Sequence, residues 1–232
     1  MKKSKREKTR TGEQQGDSVA YSKIRRAVIR LVLWLFRIRI HYAEREPDGE
    51  NYLLCCNHIS AMDPVILGVA LGKRQTHFMA KKELFRVPLV AAFLRSINAF
   101  PVDRTGDISA IKTTISLIKN GDCVGVFPQG TRCPGRTPRE CLEEVKGGVG
   151  LLCDKTHVTV LPACLRVKGN RLRLFGGGDL IIGHPIPYEQ LAAGLCDGEQ
   201  ALSHQQTCAR LSRRVFESIC DLYEGSLPNE TK

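Results

Sequence analysis

Asn57-His58-Ile59-Ser60-Ala61-Met62-Asp63 sets a histidine and a carboxylate five residues apart, where the apolar run Tyr52, Leu53, Leu54, Cys55, Cys56 gives out. A neutral imidazole can take a proton from an alcohol near neutral pH, and an ionised carboxylate can fix its tautomer and stabilise the imidazolium. The segment therefore holds a base and its orienting partner. Two more polar signatures follow apolar runs: Asp103-Arg104, and Gln129-Gly130-Thr131-Arg132. Arginine presents a planar fork of donors suited to phosphate oxygens, and a glycine such as Gly130 lets backbone N–H groups approach an anion. Each arginine alone is ordinarily a solvated surface charge. Their place after apolar runs, like that of His58, is what makes them candidates.

The elements around His58 and Asp63 must bring them together. On a regular helix, positions five apart sit roughly 140° from each other and cannot share a face. A bend between them is required, and the residues supply one. Leu53 to Cys56 reads as a short buried strand, and Asp63-Pro64 opens a helical pattern through Val65, Ile66, Val69 and Ala70. Asp is a favoured N-cap and Pro a favoured first helical residue. A cap alone would explain Asp63, but one carboxylate oxygen can cap while the other meets the imidazole.

The rest of the chain alternates in the same way. Strands are predicted over Thr76 to Ala80, Ala99 to Val102, Cys123 to Phe127, and Val158 to Leu165 with a break at Pro162. Later strands are predicted over Arg171 to Phe175 and Leu180 to Ile182. Helical patterns run over Leu84 to Ile97 with a break near Pro88, over Ile108 to Ile118, and over Gly147 to Cys153. A last one carries Leu211, Val215, Ile219 and Leu222 on one stripe. Near-continuous apolar strands alternating with helices predict an α/β fold with a mostly parallel central sheet flanked by helices. Ligands in such folds gather beyond the carboxyl ends of the strands. If the three signature-bearing strands are parallel neighbours, their ends converge on one site.

With 232 residues and 42% hydrophobic content, the chain can bury a full core as one domain. Lys+Arg 35 against Asp+Glu 24 gives a net charge of +11, which favours an anionic partner. No nucleic-acid recognition motif or aromatic platform accompanies that charge. The ten cysteines form no CxxC pair and no zinc-like spacing with histidine, so they read as buried thiols, and no metal site is expected. Residues 1–18 read as a disordered basic tail. Over 19–40, Ile24, Ala27, Val28, Leu31, Leu35 and Ile38 recur at helical spacing opposite Lys23, Arg26, Arg30 and Arg37, with Trp34 at the border. The apolar run Leu31 to Phe36 is far short of the ~20 residues that span a bilayer. A basic amphipathic helix lying in an anionic membrane interface fits better. The α/β domain is assigned to 41–225, with a tail over 226–232.

These blocks resemble those of the glycerolipid acyltransferase family. Residues 57–63 are similar to its NHxSxxD motif, and Ala99-Phe100-Pro101-Val102-Asp103-Arg104 to its second block, which ends in a substrate-binding arginine. Phe127-Pro128-Gln129-Gly130-Thr131-Arg132 resembles the FPEGTR block. Lys146-Gly147-Gly148 and Val160-Leu161-Pro162-Ala163 resemble the downstream Lys-Gly and the fourth block. The resemblance spans about Tyr52 to Leu165. It implies transfer of a fatty acyl group from an acyl-CoA or acyl-carrier-protein thioester to the hydroxyl of lysophosphatidate, with no other cofactor. His58 and Asp63 would be catalytic; Arg104, Gln129, Gly130, Thr131 and Arg132 would bind substrate. The implied location is the cytoplasmic face of the cell membrane, peripheral or monotopic. Acceptors left open are another lysolipid or glycerol 3-phosphate, and a catalytically weakened lipid-binding homologue is the other alternative. Gln129 stands where the family usually has glutamate, and Asn98 where the second block often has glycine.

Overall fold

The computed structural model describes residues 30–44, 46–47, 49–71, 76–102, 108–195 and 202–228. Among these residues seven strands form one sheet in the order β1-β7-β6-β2-β5-β3-β4. At its centre β2 (Tyr52–Cys56) is wholly buried and pairs in parallel with β5 (Cys123–Val126) and β6 (Thr159–Val167). β3 (Thr76–Lys81) and β4 (Ala99–Val102) extend the parallel set beyond β5. At the other end β7 (Gly178–Ile182) runs antiparallel to β6, and β1 (Ile38–Tyr42) lies parallel to β7. The mostly parallel sheet read from the sequence is thus present, with two strands reversed at one edge.

Alternation along β2 feeds two cores, because successive side chains point to opposite faces. Leu53 and Cys55 pack with Ile118 of α4 (Ile108–Lys119), Val149 and Leu152 of α5 (Gly148–Thr156), and Leu211 and Val215 of α7 (His204–Glu224). Tyr52, Leu54 and Cys56 pack with Ile66 and Leu67 of α2 (Asp63–Ala70) and with Val32 of α1, described over residues 30–36. α3 (Pro88–Ser96) links β3 to β4, and the short α6 (Tyr188–Ala192) precedes α7. α7 begins with a capping box between Ser203 and Gln206. The connections from the adjacent strands β2 and β5 leave to opposite faces, through α2 and α5 respectively. The crevice between their carboxyl ends is therefore a topological switch point, where open α/β sheets bind ligands.

Several sequence expectations change. The tail over 1–18 and most of the amphipathic helix over 19–40 lie outside the described residues. The described helix ends by residue 36, Arg37 adopts φ 50°, and Ile38 belongs to edge strand β1, not to the helical stripe. Ile38 and Ile40 satisfy a strand as well as a helix, and pairing with β7 decides between them. Arg171 to Phe175 forms a loop, not a strand. β6 runs unbroken through Pro162, whose carbonyl accepts the Gly183 N–H just past the end of β7. Its missing N–H would face the same side, just past the end of β7, so the parallel bonds between β6 and β2 are untouched. β4 is parallel to β2 but three places away, so only β2 and β5 are neighbours among the three signature-bearing strands. No helix among the described residues is long and apolar enough to cross a membrane.

Candidate active site

Asn57 controls how the chain leaves β2. Its side-chain amide donates to the Leu165 carbonyl at 3.0 Å and accepts the Leu165 N–H at 2.8 Å. The amide thus adds one peptide-like pair to the β2–β6 ladder and pins the backbone where it turns. His58 follows, and its main chain is held by the loop after β5. Its N–H donates to Gln129 Oε1 at 2.7 Å, and its carbonyl accepts the Cys133 N–H at 2.8 Å. Phe127 stacks on the imidazole with ring centroids 4.0 Å apart and planes 16° apart. Two bonds and one aromatic face leave His58 little freedom to reorient.

The imidazole meets its carboxylate as expected: His58 Nδ1 lies 2.7 Å from Asp63 Oδ2. The same oxygen accepts the N–H groups of Ile59 at 2.7 Å and Ser60 at 2.8 Å. Asp63 is 0% exposed, and its Oδ1 has no hydrogen-bond partner among the described residues. An oxygen already accepting two backbone N–H groups accepts from the imidazole too, so in the neutral ring Nδ1 carries the proton and Nε2 the lone pair. Asp63 is not the N-cap of α2. Met62 holds that position without a side-chain cap, and its carbonyl accepts the N–H of Ile66 at 3.0 Å. The carboxylate is instead turned back into the 58–60 loop, and one oxygen does the work expected of two.

Gln129 is buried, and its only hydrogen bond among the described residues is to the His58 N–H. This task needs a carbonyl acceptor, which glutamine supplies as well as a carboxylate. Gly130 adopts φ 68°, and its N–H closes a turn onto the Phe127 carbonyl at 2.9 Å. A Cβ there would meet nothing within 4 Å, so backbone conformation and not crowding calls for glycine. Thr131 and Arg132 are exposed. Among the described residues, Arg132 has no ion-pair partner. Arg104 falls in 103–107, outside the described residues.

Neither nearby protein nucleophile is activated. Cys56 is fully buried, and desolvation pushes its thiol well above its ordinary value. Ser60 Oγ accepts the Met62 N–H at 3.1 Å and is not bonded to His58. The other described histidines sit in separate contacts: His41 with Asp179 at 2.9 Å, His77 with Asp122 at 4.0 Å, His184 with Glu44 and His204 with Asp154 at 3.0 Å each, and His157 stacked on Tyr188. Among the described residues no group of His, Cys, Asp and Glu is placed to hold a metal ion. Sequence reasoning assigned no role to Asn57 or Phe127. Its place at the head of the 57–63 block was the signal available for Asn57, whose partner lies 108 residues away.

The arrangement is a histidine bonded to a buried carboxylate at the carboxyl end of β2, its main chain held by the loop after β5. Known proteins resemble the chain in sequence and in fold. The chain is 36% identical over 152 residues to the 1-acyl-sn-glycerol-3-phosphate acyltransferase of Bacillus subtilis, a match covering 64% of this chain and 73% of that one. It is 33% identical over 183 residues to the protein of the same name from Streptococcus pneumoniae, covering 74% and 64% respectively. In fold it is similar to the crystal structure of the 1-acyl-sn-glycerophosphate (LPA) acyltransferase PlsC from Thermotoga maritima. That likeness has a TM-score of 0.61 at 22% identity, over 95% of this chain and 84% of the other. The acyltransferase family model matches residues 37–166, from the start of β1 to the end of β6, enclosing His58, Asp63 and the loop that holds them; the chain belongs to that family.

Proposed function

We propose that the protein transfers a fatty acyl group from an acyl-CoA or acyl-carrier-protein thioester to the free hydroxyl of lysophosphatidate, giving phosphatidate. It would act as a peripheral or monotopic protein at the cytoplasmic face of the cell membrane. The observation that carries the reading is the His58–Asp63 contact at the switch point of the sheet. The names of the Bacillus and Streptococcus relatives supply the substrate class.

His58 Nε2 takes the proton of the acceptor hydroxyl as its oxygen attacks the thioester carbonyl. Asp63 Oδ2 stabilises the resulting imidazolium and keeps the ring in place. Collapse of the tetrahedral intermediate forms the ester and expels the thiolate, which recovers the proton from Nε2. The nucleophile belongs to the lipid, so no acyl-enzyme is formed. This is the logic of a Ser-His-Asp triad with the alcohol supplied by the substrate. Arg132 in the loop after β5 and Arg104 after β4 bind the acceptor phosphate.

The test is an acceptor panel. With acyl-CoA or acyl-carrier protein, lysophosphatidate should be acylated faster than lysolipids lacking a terminal phosphate monoester and faster than glycerol 3-phosphate. Acylation indifferent to the phosphate would contradict the arginine assignment, and no product with any acceptor would contradict the enzyme reading.

A further inference from the structure

The carboxyl edge of the sheet carries exposed apolar side chains on both sides of His58. Toward β1, Trp34 of α1 is 65% exposed and makes an edge-on contact with Phe175, ring centroids 5.6 Å apart. The neighbouring Leu31 and Leu174 are exposed as well. This shoulder adjoins the amphipathic segment whose pattern fits a membrane interface. The other shoulder lies in a segment whose residue pattern alone gives no such sign. It follows β3: a 3₁₀ turn over Lys82–Arg86, then α3. Leu84, Val87 and Phe93 are exposed there, and Leu89 is 83% exposed. Leu89 and Phe93, one helical turn apart, make an outward apolar stripe, the reverse of a helix that buries its apolar face. Over 81–95 the chain carries Lys81, Lys82, Arg86 and Arg95 against the single carboxylate of Glu83.

Register places this shoulder at the height of the site. Phe78 and Leu54 both pair with Gly125, so Lys81 and Asn57, each three residues further, stand level at the sheet edge. On the other side, Asn57 is bonded to Leu165, two residues before the end of β6 at Val167, which pairs with Gly178 at the start of β7. Gly178 in turn pairs with Ile38, directly after α1. One surface laid across the carboxyl edge therefore meets both shoulders with His58 between them.

We propose that the 3₁₀ turn and the first turn of α3 form a second membrane-seating surface, inserting Val87 and Leu89 among the lipids of an anionic bilayer. Arg86 and Lys81 meet the phosphates, and the two shoulders together hold His58 toward the layer that contains the acceptor. Exposed apolar side chains rimmed by cations match an anionic lipid surface in both chemistry and charge. The orientation of His58 rests on the acyltransferase reading; the membrane contact does not.

The test uses the full chain and its Leu89→Glu variant. Position 89 lies in the first turn of α3, where an acidic residue favours the helix, so the variant keeps the fold. A second variant, Val87→Ser, places a better N-cap residue at the start of α3. Binding is measured by co-sedimentation with phosphatidylcholine vesicles, with and without phosphatidylglycerol. The parent should bind the anionic vesicles more tightly, and Leu89→Glu should bind them about tenfold more weakly, with Val87→Ser between the two. Turnover of long-chain lysophosphatidate in those vesicles should fall in step, while turnover of a short-chain, monomeric lysophosphatidate stays at the parental rate. Unchanged vesicle affinity in both variants would overturn the proposal. So would an equal loss on monomeric acceptor, or loss of a solution dimer with vesicle binding intact. No turnover by the parent on either acceptor would sink the acyltransferase reading while leaving the vesicle result to stand.

Discussion

Asp63 Oδ2 accepts three hydrogen bonds, from His58 and from the N–H groups of Ile59 and Ser60. Asp63→Asn keeps an oxygen for the loop but removes the charge that stabilises the imidazolium, and it offers an NH₂ that favours the wrong tautomer. Turnover should fall by ~10²–10⁴ with the circular dichroism spectrum unchanged. Gln129 is the other informative side chain. Gln129→Glu preserves the acceptor for the His58 N–H and should keep kcat within about tenfold of the parent. Gln129→Leu strands that N–H at a cost of about 1–3 kcal/mol and releases one side of the His58 backbone. It should lower kcat with little change in the KM for acceptor. A rise in KM at constant kcat would instead assign Gln129 to substrate binding. The acceptor that the His58 N–H needs is thus one that glutamine and glutamate both carry.

At the scale of elements, the packing of α5 on α7 determines where the connection after β5 returns to the sheet. Gly150 permits it: a Cβ there would lie 1.9 Å from the Cys208 carbonyl oxygen, and the Gly150 N–H donates to Ser212 Oγ at 2.7 Å. Gly150→Ala should destabilise by about 1–3 kcal/mol, despite alanine's better helix propensity, as α5 is forced off α7. Thermal unfolding should show Tm lower by roughly 2–4 °C per kcal/mol; an unchanged Tm would mean that α7 yields freely. Much of this layer is legible in the sequence, because β2, β5 and α2 announce themselves by local runs and an Asp-Pro start. What stays hidden there is decided by distant partners. Ile38 and Ile40 fit a helix or a strand until β7 pairs with them, and the alternation of Leu172 and Leu174 mimics a strand that finds no neighbour. The bonds of Asn57 and Gln129 join residues 108 and 71 positions apart, and nothing local could reveal them.

For the molecule as a whole, seven strands and two cores serve to place one imidazole at the switch point between β2 and β5. The net charge of +11 and the apolar shoulders of the carboxyl edge suit an anionic lipid acceptor brought to that point. Motif spacing alone makes His58 and Asp63 readable as a pair. The fold adds how the pair is held, by a ladder-extending Asn57 and a loop bonded to both main-chain groups of His58. Everything then turns on whether Nε2 removes the acceptor's proton. The direct measurement is His58→Ala assayed with lysophosphatidate and acyl thioester, together with mass spectrometry of the protein during turnover. General-base catalysis by His58 predicts a loss of at least ~10²-fold in kcat and no acyl adduct on the parent enzyme. Undiminished turnover by His58→Ala, or a covalently acylated parent, would contradict it.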